Sequence, residues 1–187
     1  TVMGSSAVVV IVFSDYLLSL WIQDQAIASK VSILLSMLAF GTLINGMMVM
    51  PYIAQISTGW TKLALYTNVV SIAVLIPLLF ILVDIFGLYG AAIVWVLLNM
   101  GYFIVAVNFM FRKILIYDRW SWYLKDVTKP LISSFSAVFI IKMTVQNSTT
   151  SLGMGMTLLC ASLVSIVASC IMARDIRALI FPVKQAC

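Results

Sequence analysis

The sequence predicts an all-α membrane protein, with about six transmembrane helices forming one bundle. Composition is the first reason: 64% of the 187 residues are hydrophobic and only 9% charged, against about 25% charged in soluble domains. The second is length patterning. The apolar residues gather into stretches of roughly the 20 residues needed to cross a hydrocarbon core of about 30 Å, and the mean hydropathy is +1.16. The third is the distribution of Lys and Arg, which alternates with the links between stretches.

The stretches in order are Gly4–Ile22, Val31–Ile56, Leu63–Val83, Ala91–Phe111, Pro130–Val145 and Leu152–Ala173. The first carries Asp15 well inside it. The second is long for one crossing and contains Gly41, Asn45, Gly46 and Pro51. Pro51 cannot donate to the carbonyl of Met47, nor Pro77 in the third stretch to that of Ala73, so both are expected to bend. Pro51, Pro77, Gly41 and Gly46 are therefore candidate kink or hinge positions, with a static packing kink as the alternative. Gly87-Leu88-Tyr89-Gly90, followed by Ala91 and Ala92, reads as a tight helix–helix turn opening the fourth stretch. It lacks the Lys-Ser/Thr ending of a phosphate loop. The fifth stretch is short, and Lys142 shortens it further, so a re-entrant or tilted segment stays open there. The chain starts at Thr1 without a basic region or cleavage site of a signal peptide, and is read as a piece of a longer protein.

Orientation follows from the basic residues. Lys62, then Arg112, Lys113, Arg119, Lys125 and Lys129, then Arg174, Arg177 and Lys184 fall in alternate links; Lys30 and Lys142 fall in the others. That split of nine against two puts both ends in the cytoplasm and supports an even number of crossings. Trp21, Trp60, Trp120, Trp122 and Tyr123 sit at stretch ends, where amphipathic rings favour the headgroup level; Trp95 lies inside a stretch. The link Arg112–Lys129 mixes basic, aromatic and aliphatic residues and is expected to lie along the cytoplasmic interface, with membrane lipid as its partner. Its alternative is a docking surface for a partner enzyme.

Reactive groups are few. The chain has no His and no Glu, and its six carboxylates are Asp15, Asp24, Asp84, Asp118, Asp126 and Asp175. Cys160 and Cys170 are about 15 Å apart along a helix, beyond the roughly 7 Å that a disulfide spans. No metal site, thiol nucleophile or cofactor-binding motif is expected, nor nucleic acid as a partner. An ionisable group in hydrocarbon is expensive, which makes Asp15 the most informative polar residue: it is expected to face a cavity or a partner helix. Asp84 and Lys142, nearer the ends, can snorkel or stay wet. Asn45 and Asn99 are candidates for interhelical hydrogen bonds.

The runs Gly41-Thr-Leu-Ile-Asn45-Gly46, Pro51-Tyr-Ile-Ala-Gln55 and Thr58-Gly59-Trp60-Thr61-Lys62, with Asn68, resemble the O-antigen flippases. Those proteins belong to the polysaccharide-exporter branch of the MOP (multidrug/oligosaccharidyl-lipid/polysaccharide) superfamily. Asp84-Ile-Phe-Gly-Leu-Tyr-Gly-Ala-Ala-Ile-Val-Trp95 is similar to that family's glycine turn in the C-terminal lobe, and Leu17–Trp21 with Ala26–Leu35 fits the same lobe. The resemblance covers roughly residues 15–115. It implies two helical bundles around a central cavity, this chain being the C-terminal one and the N-terminal lobe its partner. It further implies transfer of an undecaprenyl-pyrophosphate-linked oligosaccharide across a bacterial inner membrane by rocking of one bundle against the other, without enzymatic chemistry, alongside polysaccharide assembly proteins. In that picture Asp15, Asn45 and Asn99 are cavity-lining candidates, and Lys62 and Arg112 are candidates to meet pyrophosphate at the cytoplasmic entrance. The alternatives are a cation-coupled drug exporter or lipid II flippase of the same superfamily, a membrane-embedded polymerase or glycosyltransferase, and a structural membrane subunit.

Overall fold

A computed structural model describes residues 2–22, 24–59, 61–113, 127–145 and 151–172. Eight α-helices account for about 94% of those residues, and no strand occurs among them. They are α1 (Val2–Val12), α2 (Ser14–Trp21), α3 (Gln25–Met47), α4 (Val49–Ser57), α5 (Thr61–Phe86), α6 (Leu88–Lys113), α7 (Lys129–Thr144) and α8 (Ser151–Met172). Among the described residues, four runs are long and apolar enough to cross a membrane: Gln25–Ser57, Ala64–Phe86, Leu88–Val105 and Gly153–Met172. The pair α1 and α2 makes a fifth if it counts as one broken span, since the two are bent by 72°. This is an all-helical, multi-pass membrane protein. The fifth stretch is as short as expected: α7 has 16 residues, about 24 Å of helix, against about 30 Å of hydrocarbon.

The chain divides into two compact units, Thr1–Ser32 with Trp120–Cys187, and Ile33–Arg119. In the first unit α1, α7 and α8 pack together through small residues. On α8, Thr157, Ala161, Ser165 and Ser169 recur every fourth position and all are buried, so they form one narrow stripe that lets backbones approach closely. Hydroxyls stitch the contact. Ser165 Oγ hydrogen-bonds Ser134 Oγ of α7 and donates to the Ser5 carbonyl of α1 at 3.3 Å. Ser169 Oγ donates to the Pro130 carbonyl, and Ser133 Oγ to that of Ala168, each at 3.3 Å. Val8, Val9, Val12, Phe13, Val138 and Ala161 fill the remaining core. Pro130 lies in the first turn of α7, where its missing N–H would have had no helical partner anyway.

The break in the first stretch falls at Phe13, after the β-branched run Val8–Val12 and before Ser14-Asp15. Valine and isoleucine lose rotamer freedom in a helix, while Ser and Asp favour its first turn. Lys142 secures the corner: its ammonium donates to the Val12 carbonyl at 2.6 Å and lies 6.0 Å from the centre of the fully buried Phe13 ring. Tyr16 Oη reaches the Val145 carbonyl at 3.4 Å. Lys142 thus places positive charge at the C-terminal end of α1, where the helix dipole favours it, rather than merely snorkelling away.

In the second unit α5 and α6 form an antiparallel pair joined by Gly87 alone. Gly87 adopts φ +60°, a left-handed conformation that ends α5 without the penalty a Cβ would bring. Gly90, one turn on, has no room for a Cβ against the Leu82 carbonyl, so the close packing expected of this turn is present. Helix α5 continues through Pro77. The second stretch instead breaks at Met48, and Pro51 lies in the first turn of α4, buried. The missing Pro51 donor therefore coincides with the end of α3 at Met47. That run also starts earlier than Val31, because Asp24 caps α3 by accepting from the N–H of Ala26 at 2.8 Å and of Ile27 at 3.3 Å.

Candidate functional site

The second unit holds a polar recess of about 200 Å³ between the end of α3, α4, α5 and α6. Its hydrogen-bonding walls are Asn45, Gln55, Thr67, Asn68, Tyr52 and Tyr102. Each arrives by a local feature. Asn45 lies one turn before the α3 break, and Gln55 lies one turn beyond Pro51 on α4. Asn68 and Tyr102 meet because the Gly87 turn folds α6 back along α5.

The amides on one side are locked together. Asn45 Nδ2 donates to Asn99 Oδ1 at 2.7 Å, and Asn99 Nδ2 donates to the Trp95 carbonyl at 2.8 Å. Asn99 is wholly buried, and this pair satisfies its polar ends. Close approach of α3 and α6 is set one turn away, where a Cβ on Gly41 would stand 2.5 Å from Trp95 Cδ1. Trp95, unexpected in the middle of a span, therefore lies against a glycine. On the other side Tyr102 Oη donates to Asn68 Oδ1 at 2.6 Å, and Thr67 Oγ1 donates to the Ala64 carbonyl at 3.1 Å. Gln55 is different. It is 3% exposed, and its buried Nε2 has no hydrogen-bond partner among the described residues.

Among the described residues, no charged side chain lines the recess. The surroundings are apolar: a groove of about 510 Å³ between α5 and α6 adjoins it, shares Thr67 and Tyr102, and is otherwise walled by residues such as Val70, Val74, Leu97, Val105 and Phe109. Neutral amides and hydroxyls can exchange hydrogen bonds with a neutral ligand.

Of the sequence candidates, Asn45 and Asn99 are thus brought together, with Asn45 on the recess wall. Lys62 is exposed in the first turn of α5. The backbone of Arg112 belongs to α6, but its side chain lies outside the described residues, as do Arg119, Lys125, Trp60, Trp120, Trp122, Tyr123 and the basic tail from Arg174. Asp15 belongs to the first unit and is exposed in the first turn of α2. It follows the bend directly, where a carboxylate complements the helix dipole. Cys160 and Cys170 are free thiols. Gln55 was legible only as a polar residue near a span end. Its significance lies in burial without a partner, which spacing alone cannot reveal.

Comparison with known proteins adds one finding. Residues 1–81 match the sequence model of the MatE family, an all-helical family of membrane transporters. The match covers α1 to α4 and most of α5, and supports a place in the MOP/MATE superfamily. No curated protein and no solved structure matches the chain.

Proposed function

We propose that this chain forms one lobe of a flippase for lipid-linked oligosaccharides, carrying an undecaprenyl-pyrophosphate-linked glycan across a bacterial inner membrane by alternating access. The similarity to MatE transporters fits a drug exporter equally well. What favours a glycan is the neutrality of the recess. A site for a cationic drug or a coupling cation calls for a carboxylate, and the recess offers amides and hydroxyls instead. A hydrated sugar cannot cross hydrocarbon unaided because its hydroxyls would lose their partners. A polar cavity between two lobes supplies those partners while the lipid tail stays in the bilayer.

In this reading the partner lobe is the N-terminal half of the same protein, Lys62 and Arg112 meet pyrophosphate at the cytoplasmic entrance, and both ends of the chain are cytoplasmic. Complementation tests the reading: the full-length protein, expressed in a strain lacking its O-antigen flippase, restores surface polysaccharide with at least one of several donor glycans. Loss of surface polysaccharide with every donor, from a protein present in the membrane at normal level, contradicts it.

A further inference from the structure

We infer that the recess is a subsite for a single neutral, hydroxyl-bearing ring, and that Gln55 Nε2 donates a hydrogen bond to it. The inference rests on the glycan reading and specifies where one sugar unit docks. Two independent observations carry it.

The first is the orphan donor. Gln55 is 3% exposed, its Nε2 is buried, and no acceptor among the described residues serves it. Leaving a buried amide N–H unpaired is costly, so native proteins seldom do so without a bound partner. Every other amide nitrogen around the recess with a described bond is already committed: Asn45 to Asn99, and Asn99 to the Trp95 carbonyl. Gln55 Nε2 and Asn68 Nδ2 are the amide donors left for a guest, and that of Gln55 is the buried one.

The second is the shape and chemistry of the space. At about 200 Å³ it lies below the roughly 300–1,000 Å³ of pockets for drug-sized ligands, yet holds more than one or two waters. Its lining has acceptors in Asn68 and Asn45, hydroxyls in Thr67 and Tyr102, and the ring of Tyr52. Among the described residues that lining holds no cation, which disfavours phosphate, and no carboxylate, which disfavours an ammonium group. A sugar ring matches: neutral, with hydroxyls that both donate and accept, and C–H faces that lie against an aromatic ring.

The test uses the full-length protein in detergent and in proteoliposomes. Isothermal titration with free glucose, galactose, mannose and N-acetylglucosamine is carried out on the wild type, Gln55→Leu and Gln55→Met. At least one sugar is expected to bind the wild type, and both variants to bind it about tenfold more weakly, the loss of one hydrogen bond to a buried donor. Because each variant replaces an unpaired buried amide by an apolar group, their thermal melting is expected to be unchanged or raised, which separates lost binding from misfolding. Equal affinity in wild type and variants, or a recess filled by ordered water only, overturns the proposal. So does wild-type protein that translocates lipid-linked oligosaccharide yet binds none of the sugars, in which case the flippase reading survives. Sugar binding that depends on Gln55 without translocation leaves the subsite standing and overturns the flippase reading.

Discussion

Asn99 makes two hydrogen bonds inside the chain, to Asn45 and to the Trp95 carbonyl, whereas Gln55 Nε2 makes none. The two amides therefore respond differently to removal. Asn99→Leu is expected to lower stability by about 0.6–1.7 kcal/mol, the range for interhelical bonds in membranes, measured by thermal unfolding in detergent; an unchanged melting curve would show that the Asn45–Asn99 bond is not formed in solution. Gly41→Ala is expected to cost about 1–3 kcal/mol, because its Cβ meets the rigid indole of Trp95 rather than the end of a flexible side chain. The double variant Gly41→Ala/Trp95→Ala should recover part of that loss, and full additivity of the two single effects would argue against the contact. The sequence shows Asn45 and Asn99 as polar groups in spans, but their pairing depends on the angle at which α3 meets α6. Gly41 likewise reads as a generic small residue until Trp95 is found beside it.

At the scale of elements, the apolar stretches were legible because hydropathy and length decide them locally. The turn at Gly87–Gly90 was legible too, since glycine clusters have few other uses between helices. Three features escaped. The 72° bend at Phe13 has no Pro or Gly to announce it; the side chain that meets it, Lys142 reaching the Val12 carbonyl, is 130 positions away in sequence. The early start of α3 depends on the Asp24 cap inside what read as a polar link. The stripe Thr157, Ala161, Ser165, Ser169 was visible as four-residue spacing, but only packing shows that this face of α8 is the one buried. Ser165→Leu is expected to destabilise the protein by about 1–3 kcal/mol through overpacking against Ser5 and Ser134, whereas Leu159→Val on the exposed face should move the melting temperature little. Lys142→Met should cost about 0.3–1 kcal/mol by removing the charge at the end of α1, and Lys142→Arg should retain most of it. Equal losses for Met and Arg would show that the side chain acts by shape alone.

For the whole molecule, the decisive fact is how much apolar surface the helices leave exposed. None of the Ala64–Phe86 window is buried, and residues as large as Tyr66 and Phe80 are exposed; such a surface is stable only against lipid or another protein lobe. Reporter fusions after Lys62, Lys125 and Lys184 should all give cytoplasmic signals. A periplasmic signal at Lys184 alone would show that α7, at 16 residues, or α8 does not cross. The central claim concerns cargo, and its most direct measurement is translocation by the purified full-length protein in proteoliposomes. Lipid-linked oligosaccharide is loaded in the inner leaflet, and its exposure is followed with a glycosidase added outside. The cleavable fraction should rise with time above that of protein-free vesicles, and more slowly with Gln55→Leu. A fraction that stays at the protein-free level, in vesicles that accumulate or export a cationic drug, would contradict the claim and make the protein a drug exporter instead.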